Sequence, residues 1–344
     1  MAAIKRYPTL KFLAVLLFLA AIVSCSVLAE PAEGCFVHFI DVGQADSILI
    51  TIGRGALLID GGNNADADRV IRYIRAQGIN RLDYVIGTHP HEDHIGGLDR
   101  VIRSFDVGKV MLPNVPHNTR TFEDLLLAVA ARGLKITAPR VHAEYPLDEG
   151  RFTVLAPHRA VYEDLNDYSL VIRLVYGKTA FLLTGDAETV SEAEMVADGL
   201  NLEADVLKVG HHGSRSSTTQ AFLDRVNPAY AVISVGKDND YGHPAAETLA
   251  RLTNAGVKVY RTDRNGTIVI ASNGSVLHIQ AEKGAADLQA VYRPDELRYI
   301  GNINSKKFHR PTCNRLPVLN NRKYFQARED AVKEGYTPCD ICKP

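Results

Sequence analysis

The sequence predicts an α/β chain, with two sheets carrying helices on their outer sides, followed by a small α+β unit stapled by soft donor atoms. Three observations predict it. Short β-rich runs broken by glycines start at residue 35, strand and helix patterns alternate from residue 65 to 260, and three of the five cysteines fall after residue 297.

Residues 36–41, 47–52 and 56–60 are β-rich and separated by Gly43, Gly53 and Gly55, with the Gly61-Gly62 pair closing the last. Such punctuation marks antiparallel strands and hairpins. Residues 65–78 place Val70, Ile71 and Ile74 on one face and end in Gly78, which is the pattern of an amphipathic helix. A strand over 82–88 follows. The alternation then recurs as helix 121–132, strands 170–176 and 180–184, helix 191–198, strand 206–209, helix 219–226, strand 231–235, helix 246–255 and strand 258–260. A strand over 276–281 ends this part, a linker is expected at 284–296, and residues 297–344 form the small unit.

At roughly 150 residues per domain, a chain of 344 residues has room for about two domains. With 46% hydrophobic and 23% charged residues, the composition is that of a folded globular protein. It excludes a disordered tail protein and a multi-pass channel, and five cysteines are too few for a disulfide scaffold. The net charge of −1 is a cancellation. Residues 297–344 hold ten Lys/Arg against four Asp/Glu, a net +6, and residues 1–29 hold +3, which leaves −10 for residues 30–296.

Residues 1–29 begin with Lys5, Arg6 and Lys11 and continue in an apolar run from Phe12 to Val23, the pattern of an export signal. Ile22-Val23-Ser24-Cys25 resembles the lipobox of bacterial lipoproteins, in which Cys25 would carry the lipid; Val27-Leu28-Ala29 also fits ordinary cleavage before Glu30. Either way the expected location is extracytoplasmic, lipid-anchored through Cys25 or secreted.

The strongest chemical signal is Thr88-His89-Pro90-His91-Glu92-Asp93-His94, placed directly after a predicted strand. Spacing of the form H-x-H-x-D-H gathers nitrogen and oxygen donors on one tight loop, as borderline divalent ions such as zinc require. Neutral imidazole ligates, and imidazole is largely neutral near pH 7.

From these residues the chain resembles the metallo-β-lactamase superfamily, and more narrowly the extracytoplasmic hydrolase domain of ComEC-type competence DNA-uptake proteins. The narrower resemblance is carried by 39–47 (Phe-Ile-Asp-Val-Gly-Gln-Ala-Asp-Ser), Leu58-Ile59-Asp60-Gly61-Gly62, Asn166-Asp167-Tyr168-Ser169, Thr184-Gly185-Asp186, Lys208-Val209-Gly210-His211-His212-Gly213-Ser214 and Tyr241-Gly242-His243-Pro244. It implies an αββα sandwich of two mixed sheets over residues 34–283 and two divalent ions, zinc or manganese. His89 and His91 would hold one ion, Asp93 and His94 the second, and Asp186 would bridge them. One of the His211-His212 pair would complete the second site while the other faces substrate. Asp60 would fix the histidine loop by hydrogen bonding, Asp93 would orient the attacking water, and His243 would donate to a leaving group or cap a turn. Ser214 and Ser216 read as loop or phosphate-contact groups. The wider superfamily commonly has a third histidine before the bridging aspartate; here that stretch reads Asn166-Asp167-Tyr168-Ser169, so the first ion is expected to be held more loosely. His158 is a further candidate ligand outside the motif.

His309-x3-Cys313 and Cys339-x2-Cys342 form a four-donor pattern for one structural zinc, with a disulfide involving Cys339, Cys342 or Cys35 as the alternative. Residues 299–342 resemble the small zinc-binding domain of the Ada DNA repair protein. A basic zinc module would supply nonspecific phosphate contacts, making DNA the expected partner alongside a membrane reached through the lipid; no protein partner is evident. The functional expectation is an exported phosphodiesterase or nuclease acting on DNA. The alternatives are a phosphodiesterase for a small or cell-wall phosphate ester, and a DNA-binding receptor with weak activity.

Overall fold

The computed structural model describes residues 34–283, 287–290, 299–310, 313, 315–317, 321–325 and 328–344. The expected export signal with Cys25, and most of the expected linker at 284–296, lie outside the described residues; residues 287–290 of that expected linker instead form a strand paired antiparallel with residues 276–279 of the first sheet. In chain order the first half comprises β1 (Cys35–Phe39), β2 (Ile48–Ile52), β3 (Gly55–Ile59), α1 (Ala67–Ala76), β4 (Arg81–Ile86), α2 (Glu92–Ile95), α3 (Leu98–Ser104), β5 (Asp106–Met111), α4 (Arg120–Ala131) and β6 (Ile136–Thr137). It continues with β7 (Glu144–Leu147), β8 (Gly150–Ala156), β9 (Val171–Tyr176), β10 (Thr179–Leu183), α5 (Thr189–Ala197), β11 (Val206–Lys208), α6 (Gln220–Val226) and β12 (Tyr230–Ile233). Then come α7 (Ala246–Asn254), β13 (Lys258–Arg261), α8 (Thr262–Asn265), β14 (Ile268–Ser272), β15 (Val276–Ala281) and β16 (Asp287–Ala290).

Two mixed sheets result. One has the order β16-β15-β14-β1-β2-β3-β4-β5-β6 and the other β13-β12-β11-β10-β9-β8-β7. Their central strands are apolar on both faces, which is what burial between a second sheet and a helical layer demands. In β3, Leu57 and Ile59 face the other sheet while Ala56 and Leu58 face the helices; in β10, Phe181 and Leu183 do the former, Ala180 and Leu182 the latter. Val70 and Ile74 of α1, Leu98 and Val101 of α3 and Leu125 of α4 cover the outside of the first sheet. Met195 of α5, Phe222 of α6 and Leu252 of α7 cover the second. The layers run helix, sheet, sheet, helix, as the resemblance implied.

Strands β5 to β8, β14 and β16 and the short helices α2, α3 and α8 have no counterpart among the elements expected from the sequence. Strand β5 carries Asp106, Gly108 and Lys109 among its apolar residues, and α3 is seven residues long, too short to display a helical period. Cys35 is fully buried in β1, and burial pushes its thiol up to about 12, so it serves as a core residue.

Strand pairs β3–β4, β4–β5, β10–β11, β11–β12 and β12–β13 are parallel. Parallel neighbours need crossover connections, so their carboxyl ends gather along one edge, where α/β proteins place their ligands. Asp60 follows β3, the histidine motif follows β4, Asp186 follows β10, and His211-His212 follow β11.

The small unit holds β17 (Tyr299–Asn302), β18 (Lys307–His309), β19 (Arg322–Phe325), α9 (Arg328–Lys333) and β20 (Thr337–Pro338), with strand order β19-β17-β18-β20. Its buried apolar cluster is Phe308, Phe325, Ala331 and Tyr336. A core this small requires a staple.

Close backbone approach seats the histidine loop. A Cβ at Gly97 would lie 2.3 Å from the Gly61 carbonyl oxygen, which is backbone and cannot yield. Gly97→Ala is expected to cost about 1–3 kcal/mol by overpacking, read as a lowered midpoint in thermal unfolding.

Candidate metal centre

The loop after β4 turns at once into the single turn of α2, where the amides of His94 and Ile95 both donate to the His91 carbonyl, at 3.2 and 3.0 Å. This compact turn splits the motif into two groups. His89 Nε2 lies 2.9 Å from His91 Nδ1, forming a nitrogen pair. Asp93, His94, Asp186 and His212 each offer one ligand atom to a second group whose atoms all lie within 4.8 Å of one another. In it, His94 Nε2 is 3.2 Å from Asp186 Oδ2 and 3.6 Å from Asp93 Oδ2, and His212 Nε2 is 3.1 Å from Asp93 Oδ2. The rings of His89 and His94, 4.1 Å apart, join the two groups.

Three of the imidazoles are oriented from behind. His94 Nδ1 donates to Asp60 Oδ2 at 2.8 Å, and Asp60 is itself fixed by the Thr88 amide and hydroxyl, both at 2.8 Å. His212 Nδ1 donates to the Ser234 carbonyl at 2.9 Å. His89 Nδ1 lies 3.2 Å from the Thr88 hydroxyl and 3.4 Å from that of Ser169, which also accepts from the Asp186 amide at 3.0 Å. Engaging one ring nitrogen fixes the tautomer and leaves the other lone pair facing the cluster.

The residues present fit divalent ions. Asp186 Oδ1 is buried with no hydrogen-bond partner, and buried His94 Nε2 makes no well-aligned hydrogen bond despite its closeness to Asp186. Buried polar atoms left so are costly unless an ion satisfies them. Electrostatics agrees. Burial, then the neighbouring His94, hold His89 well below the ordinary histidine range, in the neutral form that ligates. Burial opposes ionisation of Asp93 and Asp186, yet the adjacent His94 and His212 keep both carboxyls below their usual range. Burial likewise opposes a charged His94, but Asp186, Asp93 and Asp60 outweigh it and raise its pKa well above the usual value. The cluster is thus short of positive charge, which a dication supplies.

His211 sits at the edge. Its Nε2 is 3.8 Å from Asp186 Oδ2, while Nδ1 is 2.6 Å from Glu188 Oε1. Ser216 Oγ donates to the same Glu188 oxygen at 2.6 Å and also contacts Ser214 Oγ at 2.8 Å. The pair adopts φ of 45° and 50° at His211 and His212, left-handed values that non-glycine residues rarely take and that functional sites tolerate. The half-buried His243 ring lies edge-on to His211 at 5.4 Å. His158 is a correction: its Nε2 lies 3.3 Å from Asp198, which also pairs with His142, and not in the metal group.

Three contributors escaped the sequence reading. Lys208 and Asp46 form a fully buried pair at 2.8 Å, and Lys208 Nζ also donates to the carbonyls of Gly185, at 3.3 Å, and Val209, at 2.8 Å. The pair thereby clamps the turns that carry Asp186 and His211 to the segment after β1. A lysine between Leu207 and Val209 in an apolar strand was the available signal. Glu188, which holds His211, follows Asp186 by two residues and read as the start of a helix.

In the small unit, His309, Cys313, Cys339 and Cys342 bring four donor atoms within 4.8 Å of one another. His309 Nδ1 is 3.4 Å from Cys313 Sγ, and the Arg310 amide donates to Cys342 Sγ at 3.3 Å. The four described cysteines are all free, so none of the disulfide alternatives is formed among them. Burial opposes the Cys339 thiolate, but the amides of Cys342 and Ile341 outweigh it and lower its pKa, as suits a zinc ligand.

A family model described as the metallo-beta-lactamase superfamily matches residues 40–237, and one described as the metal binding domain of Ada matches residues 288–344. ComE operon protein 3 of Bacillus subtilis is 34% identical over 250 residues, covering 67% of this chain and 32% of that protein. Competence protein ComA of Neisseria gonorrhoeae is 34% identical over 254 residues, covering 73% of this chain and 34% of that one. The chain therefore spans about a third of the length of the curated relatives it matches. Among solved structures, the metallo-beta-lactamase fold protein YhfI from Bacillus subtilis aligns with a TM-score of 0.49 at 14% identity, over 70% of this chain and 100% of that one.

Replacing Asp60 by asparagine removes the carboxylate that orients His94 while preserving shape. Metal affinity is expected to fall about 10- to 100-fold, measured by titrating the demetallated protein with zinc in a calorimeter, with little change in circular dichroism.

Proposed function

The chain belongs to the metallo-beta-lactamase superfamily, and from that premise we propose that it is a metal-dependent phosphodiesterase that cuts DNA outside the cytoplasm. The observation that carries the reading is the adjacency of the His89-His91 pair to the Asp93, His94, Asp186 and His212 group, without a serine or cysteine nucleophile in either. His89 and His91 would hold one ion and Asp93, His94 and His212 the other; Asp186, in the second group, would bridge them, and its charge acts on His89 as well as on His94.

Divalent ions held by these residues would lower the pKa of bound water and offset charge developing on phosphoryl oxygens. The chain's own residues do the rest. The Asp93 carboxylate orients the attacking water. His211, held by Glu188 with its Nε2 turned toward Asp186, faces the substrate side. His243, whose ring lies edge-on to His211, would hand a proton to the leaving oxygen.

DNA as substrate is supported by the likeness to competence protein ComA of Neisseria gonorrhoeae and by the net +6 of residues 297–344. A basic module adds phosphate contacts irrespective of sequence. Export and a lipid at Cys25 are supported by residues 1–29 alone. Among the described residues no helix is long and apolar enough to cross a membrane. The −10 carried by residues 30–296 favours a second reading, a small phosphate ester as substrate.

The test incubates the chain, loaded with zinc or manganese, with single-stranded DNA, duplex DNA and a chromogenic phosphodiester, beside a His91→Ala Asp93→Ala variant. Cleavage of DNA that the variant loses by at least about a hundredfold supports the reading. Cleavage of the small diester alone supports the second. Salt-sensitive DNA binding with no cleavage of anything makes the chain a receptor.

A further inference from the structure

The segment from Gly236 to Pro244 leads outward from the metal centre, and its side chains form a shelf. His243 stands edge-on to His211, and Tyr241 stacks on His243 with centroids 5.9 Å apart and planes at 22°. Tyr241 is 73% exposed, so it contributes little to the core, and its outer surface stays accessible. The segment is held in place by Asn239. Its Nδ2 donates to the carbonyls of Gly236 at 2.9 Å and His243 at 2.7 Å, and its Oδ1 accepts from the His243 amide at 3.0 Å. The Gly236 amide donates to Gln44 Oε1 at 3.0 Å, which anchors the near end.

Beside the shelf opens a cavity of about 470 Å³ lined by Lys237, Asp238, His243, Arg261, Asp263 and Arg264 together with backbone of the same segment. Arg261 is committed to Asp263 through two hydrogen bonds of 2.9 and 2.6 Å. Lys237 and Arg264 are exposed cations on a body that is otherwise strongly acidic. An aromatic surface, two cations and a neighbouring metal centre suit one ligand class, a flat base joined to an anionic phosphate. A base inside a duplex has its faces covered by its neighbours and cannot reach the shelf.

We propose that this cavity, together with the exposed ring of Tyr241 outside its lining, is a nucleotide subsite. It takes the nucleotide flanking the cleaved phosphodiester of a single strand, with its base on Tyr241 and its phosphate between Lys237 and Arg264. The proposal rests on the nucleic-acid reading above and adds residues that select an unpaired strand.

The test compares kcat/KM of the metal-loaded full chain on three substrates: a thymidylate strand of about ten nucleotides, an abasic strand of equal length, and a small chromogenic diester. The native chain is expected to prefer the thymidylate over the abasic strand by about tenfold. Tyr241→Ala abolishes that preference and Tyr241→Phe keeps it. Lys237→Glu with Arg264→Glu lowers both strands relative to the diester by about tenfold. A merely structural role moves all three substrates together. A base preference that survives Tyr241→Ala, or a strand-to-diester ratio unmoved by charge reversal, overturns the subsite alone. A native chain that cuts the diester and neither strand overturns the nucleic-acid reading together with the subsite.

Discussion

One histidine between two buried carboxylates organises the molecule. His94 donates from Nδ1 to Asp60, at the end of the first sheet, and turns Nε2 toward Asp186, at the end of the second. Every other feature of the centre depends on that line. Asp60 holds its own place through the Thr88 amide and hydroxyl, so the strand that leads into the histidine motif also sets the carboxylate that aims its last member. Such a line of buried charge is costly in an apolar interior, a cost that a metal ion held among these groups would offset.

The sandwich serves this line. Parallel strands in both sheets deliver their carboxyl ends to one edge, and the two faces of apolar side chains between the sheets fix how far apart those ends stand. The buried Lys208–Asp46 pair adds a rigid tie at the same edge, because Lys208 also binds the carbonyls of Gly185 and Val209. Removing one member of such a pair leaves the other charge uncompensated, a loss of about 3–5 kcal/mol in buried pairs generally. Stability and site geometry are therefore carried by the same side chains here.

Much of this was legible in the sequence because it is local. The H-x-H-x-D-H run, Asp186 at the end of an apolar strand and the paired cysteines near the end of the chain are each visible within a few residues. The longer helices were placed to within about two residues by their apolar period. What was not legible depends on distance along the chain. Nothing local says that Asp46 meets Lys208, that Glu188 holds His211, or that Ser234 supplies a carbonyl to His212. His158 illustrates the converse, a histidine shortly before Asn166 in sequence whose partner, Asp198, is not in the metal group. The charge of −1 likewise concealed an acidic body and a basic end until it was divided.

Divalent ions are expected where Asp186 meets His94. Anomalous X-ray diffraction from crystals of the full chain, collected on both sides of the zinc and manganese absorption edges, tests this expectation directly. Anomalous peaks are expected within bonding distance of Asp186, one shared with His89 and His91 and one with Asp93, His94 and His212, with a separate zinc peak among His309, Cys313, Cys339 and Cys342. Well-ordered Asp186 and His94 side chains in metal-supplemented crystals, with no anomalous peak between them, would contradict it.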